Sequence, residues 1–332
     1  MKSSAMEKIL GFLLAKTPGK QMGQRSRPNR LLIDRLAGRL MSSLALVIGL
    51  LVLLIAFALF LRAYPILTYM SVGELLTGTS WHPLKGDFGF YPFIMGTLWV
   101  TSVGMIIAVP PSLLTAIYLA EYASLRIRSF VKPLIDLLAG IPSVVYGIWG
   151  VLTIVPLIRN FVAPALHRWL GFVPLFRSEN PTGYSVLAGG IVLAVMVFPI
   201  IIAVAEEVIR AVPSGLREAS LALGATRWQT IKHVVLRRAV PGVLASVMLG
   251  FSRAFGETMA VMMVVGNLPK APHSIFDAAY PLTALIANNY GEVMSVPLYD
   301  SALLGAAFIL LLVVLIFNIA SRLVLVRIVQ GG

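Results

Sequence analysis

The chain alternates short charged stretches with long uncharged ones. Uncharged runs occupy 40–61, 88–120, 137–158, 180–205 and 301–321, with lengths of 22, 33, 22, 26 and 21 residues. A sixth apolar stretch, 241–266, is interrupted only by Arg253 and Glu257. A helix needs about 20 apolar residues to cross the hydrocarbon of a bilayer, so the pattern predicts an all-α integral membrane protein with six spans. They are expected at about 40–61, 92–120, 137–158, 185–205, 241–266 and 301–321. A basic segment, 1–39, precedes the first span, and a short tail, 327–332, follows the last. The first run is longer than a signal-peptide core, and no small-x-small pattern closes it, so it reads as an uncleaved anchor. Pro110, Pro111, Pro142 and Pro199 fall inside spans, where the carbonyls they free must be satisfied by neighbouring groups. They are read as kinks in a packed bundle.

Composition supports the membrane reading: 58% of the 332 residues are hydrophobic and 12% charged, with a mean hydropathy of +0.89, against about 25% charge in soluble domains. The formal net charge is +13. In a soluble chain this excess would point to nucleic acid, but here its distribution follows the spans. With the N-terminus inside, the inner segments hold 20 basic and 7 acidic residues and the outer segments 6 of each. That asymmetry predicts cytoplasmic N and C termini and a basic face toward anionic lipid, with no role for nucleic acid. Cysteine is absent, so no thiolate site or disulfide is available. His82, His167, His233 and His273 lie far apart, without the local spacing of a metal motif, and no metal site is expected.

Between the fourth and fifth spans, Leu216, Ala219, Ser220 and Leu223 recur at helical spacing on one small, apolar face. Gly224 stands where a left-handed residue would end that helix. Thr226 and Gln229 form a capping box for a second helix, with Trp228, Ile231 and Val235 sharing a face. The result is two short helices around a glycine turn. A DNA-reading role fails on geometry, because both ends are held within a few residues of the bilayer. Some 35 ordered residues exceed what a connection needs, so segment 206–240 is expected to dock a cytoplasmic protein.

The residues of that segment carry a resemblance. Glu218-Ala219-Ser220, three residues, Gly224, nine residues and Val234-x-Leu236 resemble the EAA loop of ABC-importer permeases, with Arg237 where that family usually has proline. The resemblance implies a type I ABC importer permease in which Glu218, Ala219, Ser220, Gly224 and Ala225 couple to an ATPase subunit. Pro241 is expected to take over the helix-breaking role. The chain has no phosphate loop of its own: around Gly19-Lys20, Leu14 and Gln21 occupy the positions that need glycine and a hydroxyl. On this reading no catalytic residue and no cofactor belong to this chain, and a partner binds ATP and magnesium.

The fifth span carries the remaining chemistry. Arg253 and Glu257 are spaced to pair at i, i+4, and a charge in a membrane span is expensive unless it is used. Gly242, Ser246, Gly250, Ala254 and Thr258 form an every-fourth ladder suited to close helix packing. Three readings are open for the charges: a buried structural ion pair, an arginine that meets an anionic substrate with Glu257 orienting it, and a proton relay through Glu257.

Gly250–Val261, Ala139–Gly150 and Ile286–Glu292 resemble the corresponding segments of PstC-type phosphate permeases, a likeness running from about residue 90 to 325. It implies a prokaryotic plasma-membrane (inner-membrane) subunit that works with a PstA-like permease, two PstB-like ATPases and an external phosphate-binding protein. Arg253 and Glu257 would then line or gate the path of phosphate, and ATPase closure would drive alternating access. The outer segment 267–300, with Phe276, Tyr280, Tyr290 and Tyr299, is expected to offer a docking surface for the binding protein. The other readings are a permease for another oxyanion, the PstA-type role, an ion-coupled secondary transporter, and a membrane anchor or sensor that moves no substrate.

Overall fold

A computed structural model describes residues 27–177, 180–291 and 298–330. Residues 1–26 of the basic N-terminal segment, Glu292 of the segment after the Asn288-Asn289 pair, and the last two residues of the tail lie outside that set. Six helices among the described residues are long and apolar enough to cross a membrane.

The first, α1 (Arg27–Tyr69), continues well beyond the uncharged run on both sides. The chain divides into two units at Ile55/Ala56. In the first unit, the described part of α1 is exposed along nearly all of its length, as expected of a helix whose solvent is lipid.

The second unit holds the remaining elements. A short helix, α2 (Val72–Thr77), starts with a capping box in which Ser71 and Glu74 exchange hydrogen bonds. The Ser71 N–H and hydroxyl both donate to the Glu74 carboxylate, and they hold its pKa below the ordinary glutamate value. A two-stranded antiparallel hairpin, β1 (Trp81–His82) and β2 (Asp87–Phe88), follows. Trp81 packs edge-on against Phe88 and Phe93.

Helix α3 (Tyr91–Tyr122) accommodates Pro110 and Pro111 without interruption and closes in a π-helical turn, Tyr118–Tyr122. An amphipathic helix, α4 (Leu125–Ala139), is capped by Ser124. It ends at Gly140, and Pro142 becomes the N-cap of α5 (Ser143–Leu170). The third crossing is therefore 143–170 rather than 137–158. The uncharged run spans a helix boundary because Gly140 and Pro142 stop one helix and start another without any polar residue between them.

Helix α6 (Val186–Arg210) is the best-buried crossing, with Pro199 inside it. After α7 (Ser214–Ala222), helix α8 runs from Arg227 to Phe255 through a π-helical turn at Ile231–Val235. Pro241 sits inside α8 and does not end it, contrary to the role expected of it. Two short helices, α9 (Met259–Val264) and α10 (Leu282–Asn289), precede α11 (Tyr299–Gln330).

The small-residue ladder of α8 sets its contact with α6. A Cβ on Gly242 would come 2.3 Å from Val208 Cγ1, and one on Gly250 2.7 Å from Ile201 Cγ1. Backbones approach closely only where side chains are absent. At the other end of the crossings, Phe88, Phe90, Phe93, Tyr280, Leu282 and Tyr299 join one buried cluster. Tyr280 and Tyr299 are therefore core residues, Phe276 is buried in a second cluster with Tyr146, Ile154 and Met196, and only Tyr290 of the four outer aromatics is exposed. The loop folds inward because Tyr280 and Tyr299 have hydrophobic partners in the hairpin and α3, and Phe276 has them in α5, α6 and α9.

Candidate functional site

Two regions carry the chemistry singled out in the sequence: the turn between α7 and α8, and the end of α8. At the turn, Gly224 has φ +83°, a left-handed backbone that favours glycine. Its N–H donates to Leu221 O at 3.0 Å, and Ala225 N–H donates to Ser220 O at 3.3 Å, the paired bonds of a Schellman closure. Thr226 and Gln229 then exchange the two bonds of the predicted capping box. The Ser220 and Thr230 hydroxyls hydrogen-bond each other at 2.9 Å, tying α7 to α8.

Glu218, Ala219 and Gly224 are exposed, while Ser220 and Ala225 are partly covered. Beside them stand Leu216, Leu221, Leu223 and Trp228, all exposed and apolar, with Leu223 at 89%. Ile231 and Val235 are buried, so Trp228 does not share their face as expected but projects outward. Clustered exposed apolar side chains of this kind mark a contact with another protein or with membrane.

The turn is anchored by residues that the sequence pattern did not single out. Arg217 donates from Nη2 at 2.7 Å and from Nε at 3.1 Å to Glu121 Oε1, and also to the carbonyls of Ile209, at the end of α6, and Val212, in the link to α7. Arg227 donates to the Glu121 carbonyl, and its guanidinium lies 4.8 Å from the centre of the Tyr122 ring, a cation–π distance. A cavity of about 400 Å³ opens here, lined by Glu121, Arg217, Leu221, Arg227, Thr230 and Ile231. Nearby, Glu206 is only 3% exposed and lies within 3.4–3.9 Å of Arg210, Lys132 and Arg128. Three cations around one buried carboxylate tie α4 to α6.

The fifth crossing differs from its expected form. Helix α8 stops at Phe255, Gly256 caps it, and the chain restarts as α9 at Met259. Arg253 and Glu257 therefore do not share one helix, and no ion pair joins them among the described residues. Arg253 is exposed. Glu257 is 8% exposed. Its Oε1 accepts from Ala260 N–H at 3.2 Å and its carbonyl accepts from the Thr283 hydroxyl. The carboxylate thus satisfies the first turn of α9, where a negative group is favoured.

Thr97, Thr101, Glu257 and Thr283 give polar character to a small crevice there, of about 10 Å³. Ser252, next to Arg253, donates to Asn318 Oδ1 on α11 at 3.0 Å. Arg253 and the Ser252–Asn318 pair form an exposed polar strip within otherwise apolar crossings. The ladder ends at Ala254, and Thr258 lies beyond the break. Asn288 and Asn289 both donate to the Tyr280 hydroxyl, at 3.1 and 2.9 Å, and so help hold α10 against the aromatic cluster.

This arrangement has known counterparts. The family model described as "binding-protein-dependent transport system inner membrane component" matches residues 112–330. The chain is 37% identical over 308 residues to the probable ABC transporter permease protein YqgH of Bacillus subtilis, covering 90% of this chain and 94% of that protein. It is 38% identical over 258 residues to the phosphate transport system permease protein PstC of Pasteurella multocida, covering 77% and 80%. A bacterial ABC transporter that imports the acidic polysaccharide alginate matches with a TM-score of 0.55 at 18% identity, covering 88% of this chain and 98% of that one. The inward-facing MetNI methionine ABC transporter matches with a TM-score of 0.51 at 20% identity, covering 70% and 93%. The two structures speak for the fold, and the closer sequence relatives speak for the family. The chain belongs to the binding-protein-dependent transport system inner membrane components, the membrane-spanning permeases of ABC-type importers.

Proposed function

We propose that this chain is a channel-forming permease subunit of an ATP-driven inorganic phosphate importer. Its partners on this reading are a PstA-like permease, two PstB-like ATPases and an external phosphate-binding protein. The observation that carries the reading is the 38% identity to a phosphate permease over three quarters of the chain, joined to an exposed guanidinium on an apolar crossing. An arginine at membrane depth needs an anionic or polar partner, and its planar fork suits a phosphate oxyanion.

In this proposal, Arg253 meets phosphate on its path. Glu257 holds the break between α8 and α9 in shape, with its charge close to the same path. Glu218, Ala219, Ser220, Gly224 and Ala225 form the ATPase contact, where the small residues permit close approach and the exposed leucines and Trp228 supply apolar area. ATP and magnesium belong to the ATPase partner. The termini and the α7–α8 turn face the cytoplasm of a prokaryotic cell.

The test is uptake of radiolabelled phosphate into vesicles containing the reconstituted complex, with ATP at the ATPase face. Phosphate should accumulate only with ATP, and Arg253→Ala should reduce uptake at least about tenfold while the complex still assembles. Uptake driven by a proton gradient without the ATPase would instead identify a secondary transporter, and uptake of sulfate in place of phosphate another oxyanion permease. Glu218→Lys should weaken co-purification of the ATPase; undiminished co-purification and transport would remove that residue from the contact.

A further inference from the structure

Helix α7 touches the membrane-spanning part of the chain at a point not explained by the contact surface itself. Glu121 lies in the π-helical turn that ends α3, with its carboxylate largely buried, and Arg217 is the fourth residue of α7. Their two-pronged contact is accompanied by Arg217's bonds to the Ile209 carbonyl at the end of α6 and to the Val212 carbonyl in the link that follows, and by Arg227's bond to the Glu121 carbonyl. One guanidinium therefore clasps the ends of two crossings, and a second approaches the same glutamate from α8.

We propose that the Glu121–Arg217 pair is a strut that transmits movement of α7 to α3 and α6, the two residues acting as positioning residues for coupled transport. The proposal rests on the reading of α7 as the ATPase contact. Three physical points support it. A fork held by two bonds to one carboxylate resists rotation as well as separation, unlike a single point contact. The pair is mostly shielded from solvent, so salt screens it less than a surface pair. Both the end of α3 that carries Glu121, Tyr118–Tyr122, and the early part of α8, Ile231–Val235, are π-helical turns, places where a helix carries an extra residue and where functional adjustments concentrate. Without the strut, α7 would remain joined to the crossings by the chain segment 211–213, the Ser220–Thr230 bond and the glycine turn, all of which allow it to swing.

The experiment uses the whole reconstituted importer and two readouts. The first is the ratio of ATP hydrolysed to phosphate imported in wild type, Arg217→Lys and Glu121→Gln. Lysine keeps the charge and loses the fork, and glutamine keeps the shape and loses the charge. ATP hydrolysis should stay within about twofold of wild type while uptake falls at least about tenfold, so that the ratio rises. A proportional fall in both, or no change in either, would overturn the strut.

The second readout is independent of cargo. The chain has no cysteine, so spin labels can be placed at Leu114→Cys on α3 and Gly215→Cys on α7, both exposed. Their distance distribution should be narrow in the wild-type complex, with and without ATP, and broad in Arg217→Lys. If the wild-type complex carries no phosphate but the label distance broadens only in the variant, the cargo reading fails and the strut stands. If phosphate is carried and the distributions of variant and wild type coincide, the strut fails and the cargo reading stands.

Discussion

Glu257 separates the readings left open for the charged residues of the fifth crossing. Its side chain accepts a backbone N–H in the first turn of α9, a role that a neutral amide oxygen can also fill. Glu257→Gln should therefore leave the thermal stability of the complex within a few degrees of wild type, because the acceptor survives. Normal uptake in that variant would make Glu257 a structural cap, whereas lost uptake at unchanged stability would show that its charge serves transport. The sequence made these two residues conspicuous, since charge stands out in an apolar run. Their relation was not legible, because Gly256 and Thr258 do not lower the apolar character of the run, and i, i+4 spacing means contact only if the helix continues. At Gly224 the opposite holds. A glycine followed by Thr226 and Gln229 specifies its own closure from neighbours in sequence, and the bonds found there are the local ones expected.

At the scale of elements, the contact between α6 and α8 depends on what glycine leaves empty. A side chain on Gly250 would meet Ile201 and Val197, and nearby α6 atoms lie 2.7–2.9 Å from its Cβ position. Gly250→Leu should destabilise the protein by about 1–3 kcal/mol through overpacking, seen as a lower melting temperature of the purified complex. Unchanged melting would mean that α8 can shift away from α6 at little cost. This ladder was readable because it repeats every fourth residue. The Glu121–Arg217 contact was not, since its partners lie 96 residues apart and neither belongs to a local pattern. The fate of Tyr280 and Tyr299 was hidden for a similar reason: a loop rich in aromatics looks alike whether its rings meet a partner or fold back on the protein, and the deciding neighbours, Phe93 for Tyr280 and Trp81 for Tyr299, are remote in sequence.

For the whole molecule, the +13 net charge becomes a statement about sidedness. With the basic excess confined to the inner segments, Leu223→Cys should react with a membrane-impermeant thiol reagent only from the cytoplasmic side, and Leu84→Cys only from outside. Both side chains are almost fully exposed, so poor access would not explain a negative result, and the reverse labelling pattern would invert the topology. The number of crossings was legible from composition, whereas their limits followed from caps and breaks: α6 continues to Arg210, α8 begins at Arg227, and both carry charged residues at the ends that α7 joins.

The length of α8 has a mechanical consequence. It runs for 29 residues from Arg227 to Phe255, about 43 Å at the usual rise. The exposed Trp228 stands at one end and the exposed Arg253 near the other. A lever of that length tilting by about 5° about its Trp228 end carries its far end through about 3 to 4 Å, comparable to the reach of one hydrogen bond. On the proposed reading of Arg253, such a tilt would let its guanidinium gain or release an oxyanion without any rearrangement of its own side chain, in step with the movement that the Glu121–Arg217 strut passes to α3 and α6.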